Sequence, residues 1–131
     1  MLNKTLLNIW IKTHKAKIVR SSPGRLRIKI PGLNKVSEKH KGYEKDLSEV
    51  INYLEGISKI EVNFISSNVL ILYKTEKIHE KAISSWINHI WKEVTTEALK
   101  NSEMPSEEII SQQLKAIKLR LKADASKFTS L

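Results

Sequence analysis

Arg25, Arg27 and Lys29 stand two residues apart in the run Ser22-Pro23-Gly24-Arg25-Leu26-Arg27-Ile28-Lys29-Ile30. Leu26, Ile28 and Ile30 alternate with them. Strict alternation is the pattern of a half-buried strand, here with a cationic outer face. Planar guanidinium groups bind phosphate or carboxylate through two hydrogen bonds at once. Three cations two residues apart repel one another unless acids oppose them, and Glu61 is the candidate to oppose one. With Lys17, Arg20 and Lys35, and with Lys39 and Lys41 nearby, they make a candidate surface for anions or for an acidic partner. The alternative is a solvated strand face with no ligand.

The charge is one-sided. Residues 1–42 hold eleven Lys/Arg against one acid, Glu38, whereas residues 43–131 hold twelve against thirteen, within a net charge of +9. A basic surface of this kind suits phosphate, polyphosphate, anionic lipid, nucleic acid or an acidic protein segment. Sheets that read RNA present aromatic side chains for stacking. The outer face of 25–30 presents none, which disfavours nucleic acid.

Other chemistry is thin. The chain of 131 residues has no cysteine, which excludes disulfides, thiolate metal sites, iron–sulfur clusters and cysteine nucleophiles. His14, His40, His79 and His89 are scattered without metal-ligand spacing, so no metal site or cofactor is expected. There is no glycine-rich phosphate loop and no serine in a nucleophile elbow, so an enzyme is not expected.

The elements that must position the basic residues can be read in order. Residues 1–16 form an N-terminal amphipathic segment, helix or strand. Its Leu2, Leu6, Ile9 and Trp10 fall near one face beside basic residues, suited to contact with an anionic membrane or to packing on a protein. No apolar stretch reaches the length of a membrane span, and the charges follow the apolar part, the wrong order for a secretory signal. The expected location is therefore cytoplasmic, with attachment to a membrane surface.

Pro23-Gly24 bends the chain into strand 25–30. A helix over 43–55 carries Leu47, Val50, Ile51 and Leu54 on one face and stops at Gly56. Residues 57–64 and 69–73 read as a hairpin across Ser66-Ser67-Asn68. A second helix from about Ile78 to Val94 buries Ile83, Trp86, Ile87, Ile90, Trp91 and Val94. Residues 95–104 are weakly patterned, and a last helix starts at Ser106-Glu107-Glu108 and runs to about Lys122. Its seam of Ile110, Leu114, Ile117 and Leu121 should fold back on the domain or pair with a partner, a homodimer included. Residues 123–131 are expected to fray.

This order predicts an α+β fold. Its core is a ferredoxin-like (split βαβ) antiparallel sheet with helices on one face, and N-terminal and C-terminal helical extensions flank it. The expected parts are 1–16, 17–94 and 95–131. The usual fourth strand should follow Val94, where the sequence is a poor strand, and residues 7–11 or 17–20 are candidates to fill that edge.

Three pieces also carry a family likeness: Pro23-Gly24-Arg25-Leu26-Arg27-Ile28, Leu54-Glu55-Gly56-Ile57, and Val62-Asn63 followed by Ser67-Asn68-Val69-Leu70-Ile71. Over 17–94 the chain resembles the heavy-metal-associated-like domain. The variant it resembles is found at the N-termini of some metal-transporting P-type ATPases and in small proteins encoded beside them. The better-known members bind a soft metal ion through Cys-x-x-Cys after the first strand. Here that loop reads Gly32-Leu33-Asn34-Lys35-Val36-Ser37-Glu38-Lys39-His40, so thiolate binding does not carry over. The arginine-bearing strand resembles proteins associated with iron-handling ATPases, including clusters that build ferrosomes, iron- and phosphate-rich storage granules. The resemblance implies a non-enzymatic accessory protein in bacterial metal homeostasis, with a P-type ATPase or another membrane protein as partner. It adds an intracellular storage compartment as the alternative place of peripheral attachment. A general polyanion- or nucleic-acid-binding module and a self-assembling structural protein are the alternatives.

Overall fold

A computed structural model describes residues 15–31, 43–63, 65–99 and 107–129. The element order is β1 (Lys17–Ser22), β2 (Arg25–Lys29), α1 (Tyr43–Ile51), β3 (Ile57–Asn63), β4 (Asn68–Tyr73), α2 (Glu80–Leu99), α3 (Glu107–Asp124) and α4 (Ser126–Thr129). The four strands form one sheet in the order β1-β2-β4-β3, every neighbouring pair antiparallel. Strands β2, β3 and β4 with α1 and α2 make the split βαβ core, so the fold is α+β and ferredoxin-like.

The place beside β2 that a C-terminal strand usually fills is taken from the N-terminal side, by β1. Pro23-Gly24 makes this possible. Proline pre-sets the first turn position, and Gly24 takes the positive φ, +77°, that the second requires. A Cβ on Gly24 would come 3.2 Å from the Tyr73 carbonyl oxygen, so the turn also sits close against the end of β4. An irregularity between Ile18 and Arg20 leaves Val19 without a register partner. The strand after it still brings Arg20 opposite Arg27. A bulge of this kind twists an edge strand and discourages pairing with foreign edges.

Alternation sorts the sheet. Leu26, Ile28, Val69 and Ile71 are fully buried, and Ile60 and Val62 pack beside them. Against this face lie Val50, Ile51 and Leu54 after the first crossover, and Ala82, Ile83, Trp86, Ile87 and Ile90 of α2. Trp86 is wholly buried, and its indole N–H donates to the carbonyls of Val50 (3.1 Å) and Ile51 (3.3 Å). Helix α1 therefore ends at Ile51, short of the expected Glu55. Tight turns (Tyr53 N to Val50 O, Leu54 N to Ile51 O) carry the chain to Gly56. Helix α2 starts at Glu80, where His79 Nδ1 accepts the Lys81 amide at 3.1 Å as a cap, and it continues past Val94 to Leu99.

The C-terminal seam folds back. Helices α3 and α4 pack against α1 and α2, burying Ile117, Leu121 and Ala125 in the common core. Lys118 reaches Asp46 (2.6 Å) and Glu49 (3.1 Å), and Arg120 reaches Glu93 (3.5 Å). The expected fraying after 122 is corrected. His89 Nε2 lies 2.9 Å from Asp124 Oδ2, and the Phe128 ring packs on Trp86 and His89 at 5.3 and 5.0 Å between centroids. These are long-range contacts, which local sequence does not announce.

Candidate functional site: a cationic sheet face

Helices occupy one face of the sheet, and the outward side chains of the strands make the other. Register places the cations there in facing pairs. Lys17 faces Lys29, Arg20 faces Arg27, and Ser22 faces Arg25. On the other side of β2, Arg25 faces Leu72, Arg27 faces Leu70 and Lys29 faces Asn68. The far strand brings Lys59, Glu61 and Asn63 against the same three residues of β4. From edge to edge the face therefore runs from a two-strand cationic block, through half-buried Leu70 and Leu72, to a mixed polar strand.

The structure brings five of the expected residues, Lys17, Arg20, Arg25, Arg27 and Lys29, onto this face. Lys35 and the apolar set Leu2, Leu6, Ile9 and Trp10 lie outside the described residues. Glu61 does not oppose an arginine. It sits two strands from Arg27, about 10 Å away at the backbone. Its carboxylate is held by Lys59 at 3.2 Å. The cationic block thus faces like charge across β1–β2, and the register puts apolar and amide side chains on its other flank. Such an arrangement opposes folding unless an anion relieves it.

On the helical side, the Ser21 hydroxyl donates to Glu80 Oε2, and the Ala16 amide donates to Asn88 Oδ1 at 2.9 Å. Both contacts tie β1 to α2 from below, which leaves its outward residues in solvent.

Apolar exposure adds residues that pattern reading missed. Ile18 and Val19 on the edge strand are about half exposed, and Ile65 in the β3–β4 turn is 92% exposed. A single isoleucine between strand and turn residues carries no periodic signal, so nothing local marks it.

Among the described residues no group of three or more histidine or acidic side chains is placed to hold a metal ion. The sequence has no thiolate to offer anywhere. Among the described residues, His89 is engaged with Asp124 in the helical core, away from the cationic face. No helix among the described residues is long and apolar enough to cross a membrane.

Against known proteins, the family model described as heavy metal associated domain 2 matches residues 12–129. That match runs from before β1 to the end of α4. No curated protein and no solved structure matches the chain.

Proposed function

The chain belongs to the heavy metal associated domain 2 family, and from that membership we propose that it is a non-enzymatic accessory protein in metal handling, iron in particular. It works through its basic strand face rather than through a metal-binding loop. Lys17, Arg20, Arg25, Arg27 and Lys29 bind anionic groups at a membrane, on a storage compartment such as a ferrosome, or on an acidic partner. A metal-transporting P-type ATPase is the partner that the resemblance of the Pro-Gly-Arg-Leu-Arg strand suggests. The N-terminal residues Leu2, Leu6, Ile9 and Trp10 reinforce the attachment, and Lys35 extends the basic surface.

One observation carries this reading. Five cations are gathered on the β1–β2 half of one sheet face, two pairs of them directly opposed, and Glu61 on the far strand is engaged by its own neighbour Lys59. The absence of cysteine supports it by removing the family's usual donors. The outward positions of the four strands hold no aromatic residue, which argues against a nucleic-acid platform that works by stacking.

The test is Arg25→Ala with Arg27→Ala. The variant should keep the wild-type circular dichroism and lose its place in fractionated cells, where the wild type co-sediments with metal-rich material by elemental analysis. Normal localisation of a folded double variant would sink the reading. A salt titration of binding to anionic vesicles, polyphosphate and random RNA separates the alternative. Salt-sensitive RNA binding without vesicle or polyphosphate binding would favour a nucleic-acid module.

A further inference from the structure

The two ends of the sheet differ. At one end lie the Pro23-Gly24 turn and Thr75-Glu76-Lys77. At the other end three chain segments meet. Lys15 and Ala16 enter β1, Ile30 and Pro31 leave β2, and turn 65–67 joins β3 to β4. The Ile30 amide donates to the Ser67 carbonyl at 2.8 Å, which fastens the second segment to the third. The Asn63 side chain accepts the Ser66 amide at 3.1 Å, and Ser67 takes a positive φ of 62°. The turn is therefore held in shape by its own hydrogen bonds, and none of them uses the Ile65 side chain. Ile65 stands 92% exposed at its tip.

An isoleucine presented to water contributes nothing to the core. Around it the same end carries exposed Lys15, Lys17 and Lys29. An apolar tip with cations on the β1–β2 side of the same sheet end matches a surface that is anionic outside and apolar beneath. Glu80 and Glu93 of α2 are engaged on the helical side, by Ser21 and Arg120.

We propose that this end of the sheet docks on an anionic lipid bilayer, with Ile65 inserted among the acyl chains and Lys15, Lys17 and Lys29 on the headgroups. The proposal rests on the basic-face reading and names its partner. It adds a contact that reading does not contain. Lipid is favoured over a soluble polyanion because a polyphosphate would have no use for the isoleucine. One side chain and a few lysines give weak, reversible attachment, which is enough for a protein that also has a second contact.

The chain has no cysteine, so Ile65→Cys in the full-length protein takes a single environment-sensitive fluorophore. Thr75→Cys, exposed at the opposite end, is the control. Vesicles are phosphatidylcholine alone, or phosphatidylcholine with an equal part of phosphatidylglycerol. The label at 65 should shift to the blue and be quenched by acyl-chain spin labels on the anionic vesicles only, with the label at 75 silent. Ile65→Asp, unlabelled and with unchanged circular dichroism, should lower vesicle partitioning by about tenfold. Equal shifts at both labels, wild-type partitioning of Ile65→Asp, or binding to soluble polyphosphate but not to vesicles would each overturn the proposal. The two readings fail separately. If Arg25→Ala with Arg27→Ala releases the vesicles while Ile65→Asp does not, the docking end is wrong and the basic face stands. If label 65 inserts and that double variant localises normally, the reverse holds.

Discussion

Replacing Arg20 and Arg27 together by glutamine should make the chain more stable in dilute buffer. The two face each other across β1–β2, and Lys17 and Lys29 form the next facing pair. Opposed backbones in such a ladder are about 5 Å apart, and long side chains splay their charges to roughly 7 Å. At that distance in water, one like-charge pair repels by about 0.6 kcal/mol. The double substitution removes the Arg20–Arg27 pair and weakens the contacts with Arg25, Lys17 and Lys29, so roughly 1 kcal/mol of stability should return. Glutamine keeps most of the aliphatic stem, so packing of residue 27 beside Leu70 is largely preserved. Thermal melts at low ionic strength should show a gain of about 3–5 °C. Molar salt shortens the screening length to about 3 Å, and the gain should vanish there. Polyphosphate should stabilise the wild type more than the variant, since only a state that binds the ligand is stabilised by it. A variant less stable than the wild type at low salt, or a gain that survives molar salt, would refute the account of this face as a strained anion site.

Two further outcomes concern the C-terminal helices. Leu121 is fully buried, so Leu121→Ala should lower stability by about 2–5 kcal/mol in urea melts while keeping one cooperative transition. A second transition, or no loss, would mean that α3 is not part of the core. Hydrogen bonding from His89, helped by the charges of His89 and Lys127, holds the Asp124 carboxyl below its ordinary value. Its contribution is present above the unfolded-state value and is lost as pH falls through the depressed folded one. Asp124→Asn should therefore be less stable near neutral pH and flatter as pH falls below the ordinary carboxylate range. An acid limb identical to the wild type would count against the contact.

Strands β2 to β4 and the buried stripe of α2 were legible because their side chains alternate, or step by three and four, against a single face. The cationic half of the site on β2 followed from the same alternation. The edge strand was harder. All six residues of β1 are exposed, so no apolar pattern announces it, and 17–20 competed with 7–11 for the vacancy. Glu61 was misassigned because strand order is not written locally, although Lys59 two residues away on the same face was the nearer partner. Helix α1 stopped early because Trp86, more than thirty residues later, takes up its last carbonyls. Phe128 and Asp124 sit in a tail that looks free until Trp86 and His89 are placed beside them.

Drawing the edge strand from the start of the chain changes what a shortened message would make. In the usual plan the last strand closes the sheet, so a stop codon after the second helix removes an edge and bares β2. Here β1 and β2 are neighbours in synthesis, joined by a two-residue turn, and β4 is finished at Tyr73. A ribosome has made all four of the described strands, and the cations they carry, before it begins α2. Frameshifts and nicks beyond Leu99 would then strip helical cover while leaving the sheet and its charge pattern whole in number. In that order of assembly the cationic face is complete first, and the helices that cover the opposite side of the sheet arrive afterwards.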